Sequence, residues 1–137
     1  LLININKYID FILSKKLKDI ESSSKKDMIF EILMSRFDIL QKNRKSIVSI
    51  FKSFKIYPQN FIFLLPSFVD SMTLIANYAN IPLKGISGRM KIKGILIVYF
   101  STFLIWIKDD SESLEKTMIS LDQYLIKAEK FIKLIKK

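Results

Sequence analysis

The sequence predicts an all-α domain of about six helices, and three observations carry that prediction. Half of the 137 residues are hydrophobic and the mean hydropathy is +0.23, which a disordered chain does not show. Only three glycines and three prolines are present, too few for the many tight turns of a sandwich or barrel. Apolar residues recur at helical spacing in six successive stretches. The length suits one domain spanning residues 1–137, without an internal repeat or linker.

The first helix is expected over about residues 3–20, where Ile5, Tyr8, Ile9, Ile12, Leu13 and Leu17 share a face and Lys15, Lys16 and Lys18 point away. Glu21-Ser22-Ser23-Ser24 breaks it. Ser24 and Asp27 form a loose capping box for a second helix through Met28, Ile29, Ile32, Leu33, Phe37 and Leu40. Gln41-Lys42-Asn43 is a weak break, with Asn43 as the expected N-cap of a third helix carrying Ile47, Val48, Phe51 and Phe54.

Tyr57-Pro58 stops that helix, because the residue before proline avoids the α region, and Pro58 opens the next. The fourth helix, about residues 59–80, is apolar nearly all round, and Pro66 is expected to kink or split it near Leu65. Residues 80–85 read as a turn, Ser87-Gly88 as a restart, and Arg89 to Ile107 as a fifth helix. Its apolar run of about 14 residues reaches about 21 Å, short of a hydrocarbon core, so a buried core helix is expected. An Asp109-Asp110-Ser111 turn then leads to a last helix, about residues 112–136. Its inner stripe is expected to be Leu114, Met118, Leu121, Leu125, Ala128, Ile132 and Ile135.

Chemistry is constrained more by what is missing. The chain has no cysteine and no histidine, so disulfides, thiolate or imidazole metal sites and His-dependent triads are excluded within it. No catalytic, metal or cofactor residues are expected, and the chain is not expected to be an enzyme. The net charge of +10 raises nucleic acid and anionic lipid as partners, but it is almost all lysine, with Arg36, Arg44 and Arg89 the only arginines. The abundance of Lys, Ile, Asn and Phe together fits an AT-rich genome in which lysine is the default surface residue, and this is the preferred account of the charge. No phosphate-binding loop, aromatic RNA platform or compact helix-turn-helix is visible.

Four features leave two readings open. Asp109 to Glu112 offers hard oxygen ligands for a divalent cation, but lacks the alternating calcium-loop pattern; the competing reading is that Asp110 or Ser111 caps the last helix, with Glu112 and Glu115 complementing its dipole. Lys127, Lys130, Lys133 and Lys137 lie beside Phe131, Ile132, Leu134 and Ile135, which suits either a lipid surface or a solvated face. Asp70 and Asn77 interrupt the apolar fourth helix and face either a cavity or a lysine or Arg89 partner. Tyr78, Tyr99 and Trp106 offer polar tips to a pocket or are plain core. The chain opens in mid-pattern without methionine or a signal-peptide pattern, so sequence upstream of Leu1 is expected.

The joint from Ile105 to Leu125 is the most specific segment. With MSRFDILQKNRKSI, it resembles the C-terminal regulatory domain of a TetR-type transcriptional regulator group of α-proteobacteria. The residues carrying the resemblance are Met34, Arg36, Phe37 and Asp38; Trp106, Asp109 and Ser111; and Thr117, Met118, Leu121 and Asp122. The same pattern is similar to the lipid-binding accessory family of ubiquinone biosynthesis, which shares the TetR-type fold. That family has an A-G-D segment where this chain has Ala76-Asn77-Tyr78-Ala79-Asn80.

The resemblance implies that the last two helices form a four-helix bundle in a cytoplasmic homodimer, and that the middle helices enclose a pocket for a small apolar effector. DNA binding would come only from an N-terminal unit preceding Leu1. On these helical faces, Ile92, Ile95, Tyr99, Leu121 and Leu125 are expected at the dimer interface, and Phe68, Met72, Ile75, Phe103 and Trp106 in the ligand pocket. The alternative function is a peripheral-membrane lipid or quinone carrier using the same pocket and the basic C-terminal helix on anionic membrane. A stand-alone DNA-binding role, resting on net charge, is a third.

Overall fold

The computed structural model describes residues 1–17 and 24–135, with side chains through residue 132. It is all-helical, with six α-helices and no strand among the described residues. They are α1 (Leu2–Lys16), α2 (Lys25–Lys42), α3 (Arg44–Ser53), α4 (Pro58–Tyr78), α5 (Gly85–Lys108) and α6 (Glu115–Ile135). The longest packing contact runs between α5 and α6, while α2 touches α1, α3, α4 and α6. The common core holds Leu13, Ile32, Leu33, Phe37, Met72, Ile75, Trp106 and Leu121, all fully buried.

Local chemistry sets most helix ends. Ser24 has extended backbone and its hydroxyl accepts the Asp27 N–H at 3.1 Å, as the capping pattern predicted. Replacing Ser24 with alanine is expected to lower stability by about 1 kcal/mol, read as a lower urea midpoint with an unchanged slope. Asn43 is the N-cap of α3, as expected, and its backbone carbonyl accepts Ile47 N–H at 3.0 Å. Its side chain makes no cap bond to α3; the amide donates back to the Ile39 carbonyl at 3.2 Å, serving the carbonyls at the end of α2.

Pro66 does not split α4, which continues to Tyr78. The carbonyl that loses its partner there belongs to Ile62, an exposed position where water can serve it. The helix ends at Ala76-Asn77-Tyr78-Ala79-Asn80 in a Schellman arrangement. Asn80 is left-handed at φ 57°, its N–H bonds Asn77 O, and Ile81 N–H reaches back to Ala76 O.

Helix α5 starts at Gly85, four residues before the expected Arg89. Ser87-Gly88 lies inside its first turn because the glycine serves packing: an added Cβ at Gly88 would sit 2.2 Å from the Leu83 carbonyl carbon. At 24 residues α5 is longer than its uninterrupted apolar run. Both α4 and α5 are long and apolar enough to cross a membrane by length and composition. In this fold α5 contributes Ile95, Val98, Tyr99, Thr102 and Trp106 to the core, while Ile86, Met90, Ile97 and Leu104 stay exposed.

The acidic turn is a cap of a kind the sequence did not single out. Asp109, not Asp110, is buried, and one carboxylate oxygen accepts Thr117 N–H at 2.8 Å and the Thr117 hydroxyl at 2.7 Å. The other accepts Ser111 N–H at 3.0 Å and the Ser111 hydroxyl. The Ser111 hydroxyl in turn accepts Glu115 N–H at 2.9 Å, which meets the Ser111 half of the capping expectation. Burial alone would raise the Asp109 pKa, but the Ser111 and Thr117 bonds outweigh it and hold the carboxyl well below the usual carboxylate range. With Asp109 occupied this way, α6 begins at Glu115, three residues later than expected, and Leu114 is forced to φ 56° with its side chain buried. Met118, expected on the inner stripe, is 39% exposed, and the side chain of Ile135 lies outside the described residues.

Candidate ligand-binding cleft

Three elements converge on one apolar cleft. Phe51 on α3 and Phe54 at its end, Phe61 and Phe68 on α4, and Tyr99, Phe100 and Phe103 on α5 form its walls. Their rings touch in sequence: Phe54 to Phe61 at 5.4 Å, Phe61 to Phe100 at 5.6 Å, Phe68 to Phe100 at 5.2 Å, and Phe51 to Phe103 at 5.5 Å. These are tilted or edge-to-face contacts, the arrangements aromatic quadrupoles favour. The cleft holds a cavity of about 200 Å³ that adjoins a smaller one of about 70 Å³ against α1 and α2. The two share Phe51, Phe54, Phe68, Tyr99 and Phe103.

Beneath the smaller hollow lies a buried polar network. The Arg36 guanidinium, fully buried, donates to an Asp10 oxygen at 2.5 Å, to the Asn6 carbonyl at 2.5 Å and to the Tyr99 hydroxyl at 3.1 Å. The Ser71 hydroxyl donates to the second Asp10 oxygen at 2.7 Å, and the Asn6 amide donates to Ser67 and Ser71. No buried side-chain polar atom is left without a partner among the described residues. Burial works against charge on Arg36, yet the Tyr99 oxygen and the Asp10 carboxylate prevail and raise its pKa.

A second network fastens the far end of the cleft. Trp106 Nε1 donates to Gln41 Oε1 at 3.0 Å, and Arg44 donates to the same oxygen at 3.0 Å. The Arg44 guanidinium lies 4.7 Å from the Trp106 ring centre and also donates to the Trp106 and Ile107 carbonyls, closing the end of α5. Thus the MSRFDILQKNR segment and the tryptophan joint, far apart in sequence, are one packed unit. Asp122 on α6 joins it to α2 by accepting Lys26 at 2.8 Å, a bond that raises the lysine pKa.

The expected site residues divide. Phe68 and Phe103 line the cleft. Met72, Ile75 and Trp106 share a helix face with Phe68 or Phe103 but lie one or two turns further along it, where they are fully buried in the core. Of the expected dimer residues, Ile95, Leu121 and Leu125 are buried within the chain's own core, Tyr99 is buried in the cleft wall against Arg36, Phe37 and Phe68, and Ile92 is half-buried. Large apolar side chains that those two helices leave exposed include Ile86, Met90, Ile97, Leu104, Ile119 and Phe131.

Asp70 and Asn77 are exposed, so neither faces a cavity; the polar residues that line the smaller hollow are Asn6, Arg36 and Tyr99. Tyr78 is partly exposed, whereas the Tyr99 and Trp106 tips are bonded inside. The missed cleft walls Phe51, Phe54 and Phe61 had a signal, phenylalanines three and seven apart on consecutive helices.

A second cleft, of about 360 Å³, opens between α5, α6 and α2. Ile29, Ile95, Val98 and Leu125 line it, and its charged lining residues are Lys25, Lys26, Lys91 and Glu129. Among the described residues no group of acidic side chains is arranged to hold a metal ion. Lys127 and Lys130 of the C-terminal helix are exposed, while the Lys133 and Lys137 side chains lie outside the described residues. Compared with known proteins, the chain matches no family model and no curated protein sequence.

Proposed function

We propose that this chain is the regulatory domain of a TetR-type transcriptional regulator, which binds a small apolar effector in the aromatic cleft and acts as a homodimer. The observation that carries the reading is the cleft itself: a preformed apolar cavity of about 200 Å³, walled by half-buried aromatic rings from three helices. Aromatic surface left partly open to water in a concave cleft gains from being covered by an apolar molecule. The absence of histidine and cysteine in the sequence supports binding without catalysis. A ligand touching Phe103 also touches the ring stack that leads to Trp106 and the α5–α6 joint, a physical route from pocket to helix pair.

Exposed Met90, Ile97 and Leu104, seven residues apart on α5, supply an apolar stripe for the dimer. Native mass spectrometry tests both parts. The expected spectrum contains a dimer carrying a small co-purified molecule, and Ile97→Glu is expected to convert the dimer to monomer while the molecule stays bound. A wild-type monomer at micromolar concentration contradicts the dimer; failure of any apolar probe to bind contradicts the pocket.

The second reading is a peripheral-membrane lipid or quinone carrier. The larger cleft favours it, since an apolar lining that includes lysines suits an acyl chain with an anionic head. Flotation with vesicles containing phosphatidylserine, lost when Lys25 and Lys91 become glutamate, supports that reading; no flotation removes it.

A further inference from the structure

The aromatic cleft is apolar except at one point. In its smaller hollow Asn6, Arg36 and Tyr99 are the only polar residues of the wall, and all three are nearly fully buried. The Asn6 carbonyl and Arg36 are committed to one another and to Asp10. Tyr99 is different. Its oxygen accepts from Arg36 Nε at 3.1 Å, and that is the hydrogen bond the hydroxyl makes among the described residues, as acceptor and not as donor. A phenol is both donor and acceptor, so one donor in the cleft wall is uncommitted.

We propose that the Tyr99 hydroxyl donates a hydrogen bond to a neutral, carbonyl-type oxygen on the apolar molecule held in the cleft; this rests on the pocket reading above. Charge decides between a carbonyl and a carboxylate. The one cation at the cleft, Arg36, is already matched by Asp10 at 2.5 Å, and the remaining walls are aromatic and aliphatic. A carboxylate head would place a second anion there without a counter-charge, which a low-dielectric site penalises heavily. A neutral carbonyl takes the free proton without adding charge. The ligand class is therefore an apolar ketone, ester or quinone-like carbonyl compound rather than a fatty acid.

Trp106, the only tryptophan, sits 5.4 Å from Phe103 of the cleft wall and reports binding by fluorescence. Wild type and Tyr99→Phe would be titrated at pH 7.5 with 2-octanone, octane and octanoate. The expected result is that Tyr99→Phe weakens 2-octanone about fivefold and leaves octane unchanged, the size of one neutral hydrogen bond. Octanoate is expected to bind wild type more weakly than 2-octanone.

An unchanged ratio of ketone to alkane affinity in Tyr99→Phe, or tighter binding of octanoate than of 2-octanone, overturns the proposal while leaving the pocket reading intact. Binding of none of the three to wild type overturns both. Removing the phenol also strips Arg36 Nε of its acceptor, so infrared spectroscopy of carbonyl-labelled 2-octanone on wild-type protein provides an independent check. A carbonyl stretch below its position in hexane supports the bond, and a hexane-like stretch overturns it.

Discussion

Replacing Arg36 with methionine is expected to destabilise the fold by about 3–5 kcal/mol, the range for removing one partner of a buried ion pair. Arg36 is 1% exposed and supplies three bonds, to Asp10, Asn6 and Tyr99. Methionine keeps most of the side-chain volume, so the loss is electrostatic rather than a cavity. What remains is the Asp10 carboxylate, supported by Ser71 but without its counter-ion, and an Asn6 carbonyl without a donor. The double variant Arg36→Met/Asp10→Asn is expected to recover part of the loss, because it removes the stranded charge. Urea unfolding followed by circular dichroism reads both changes. Full recovery in the double variant would mean that the pair adds specificity but little net stability. Since the Arg36 pKa is raised above an already high ordinary value, the guanidinium is charged in folded and unfolded chains around neutrality, and its own titration contributes no pH dependence there.

Asp109→Ala is the second large effect, about 3 kcal/mol, from the loss of charge-assisted bonds at a buried cap. The carboxylate satisfies the backbone N–H of Ser111 and Thr117 and both their hydroxyls, so its removal orphans donors at the start of α6. It also releases Leu114 from the turn that holds it at φ 56°. Asp109→Asn is expected to lose less, since an amide oxygen still accepts from one side while its NH₂ opposes the other donors. The pH dependence has a definite sign. The folded pKa is depressed, so the contribution is complete above the unfolded carboxylate value of about 4 and fades as pH falls from there towards the folded value. The wild-type unfolding free energy is therefore expected to drop more steeply below pH 4 than that of Asp109→Ala.

These two residues show where sequence reading succeeds and where it stops. Helical class and helix number followed from hydrophobic period and scarce turn residues, because both express constraints local to the chain. Ser24 and Pro58 were readable for the same reason. The start of α6 was not, because Asp109 reaches eight residues forward to Thr117 and postpones the helix, a choice made by burial. The start of α5 depended on the approach of Gly88 to Leu83, again a tertiary fact.

At the candidate site, Phe68 and Phe103, read from helical faces, line the aromatic cleft, whereas Met72, Ile75 and Trp106 from the same reading lie in the core. An apolar face gives no sign of whether it meets a helix or a void. Asp70 and Asn77 looked like costly intrusions only because α4 was taken as enclosed; the side that carries them, with Ile62 and Phe63, is open. The real intrusion, Arg36, sat in a segment already noted for its pattern, and its partners Asp10 and Tyr99 come from two other helices.

The central claim is that the Phe51–Phe54–Phe68–Phe103 cleft binds an apolar molecule. The most direct test is to map 2-octanone onto the protein by two-dimensional NMR of aromatic and methyl groups. Saturable shift changes are expected at Phe51, Phe54, Phe68, Tyr99 and Phe103, reaching Trp106, with little change at Ile97 or Ile119. Shifts confined to Ile29, Ile95, Val98 and Leu125 of the larger cleft, or no saturable shifts, would contradict the claim.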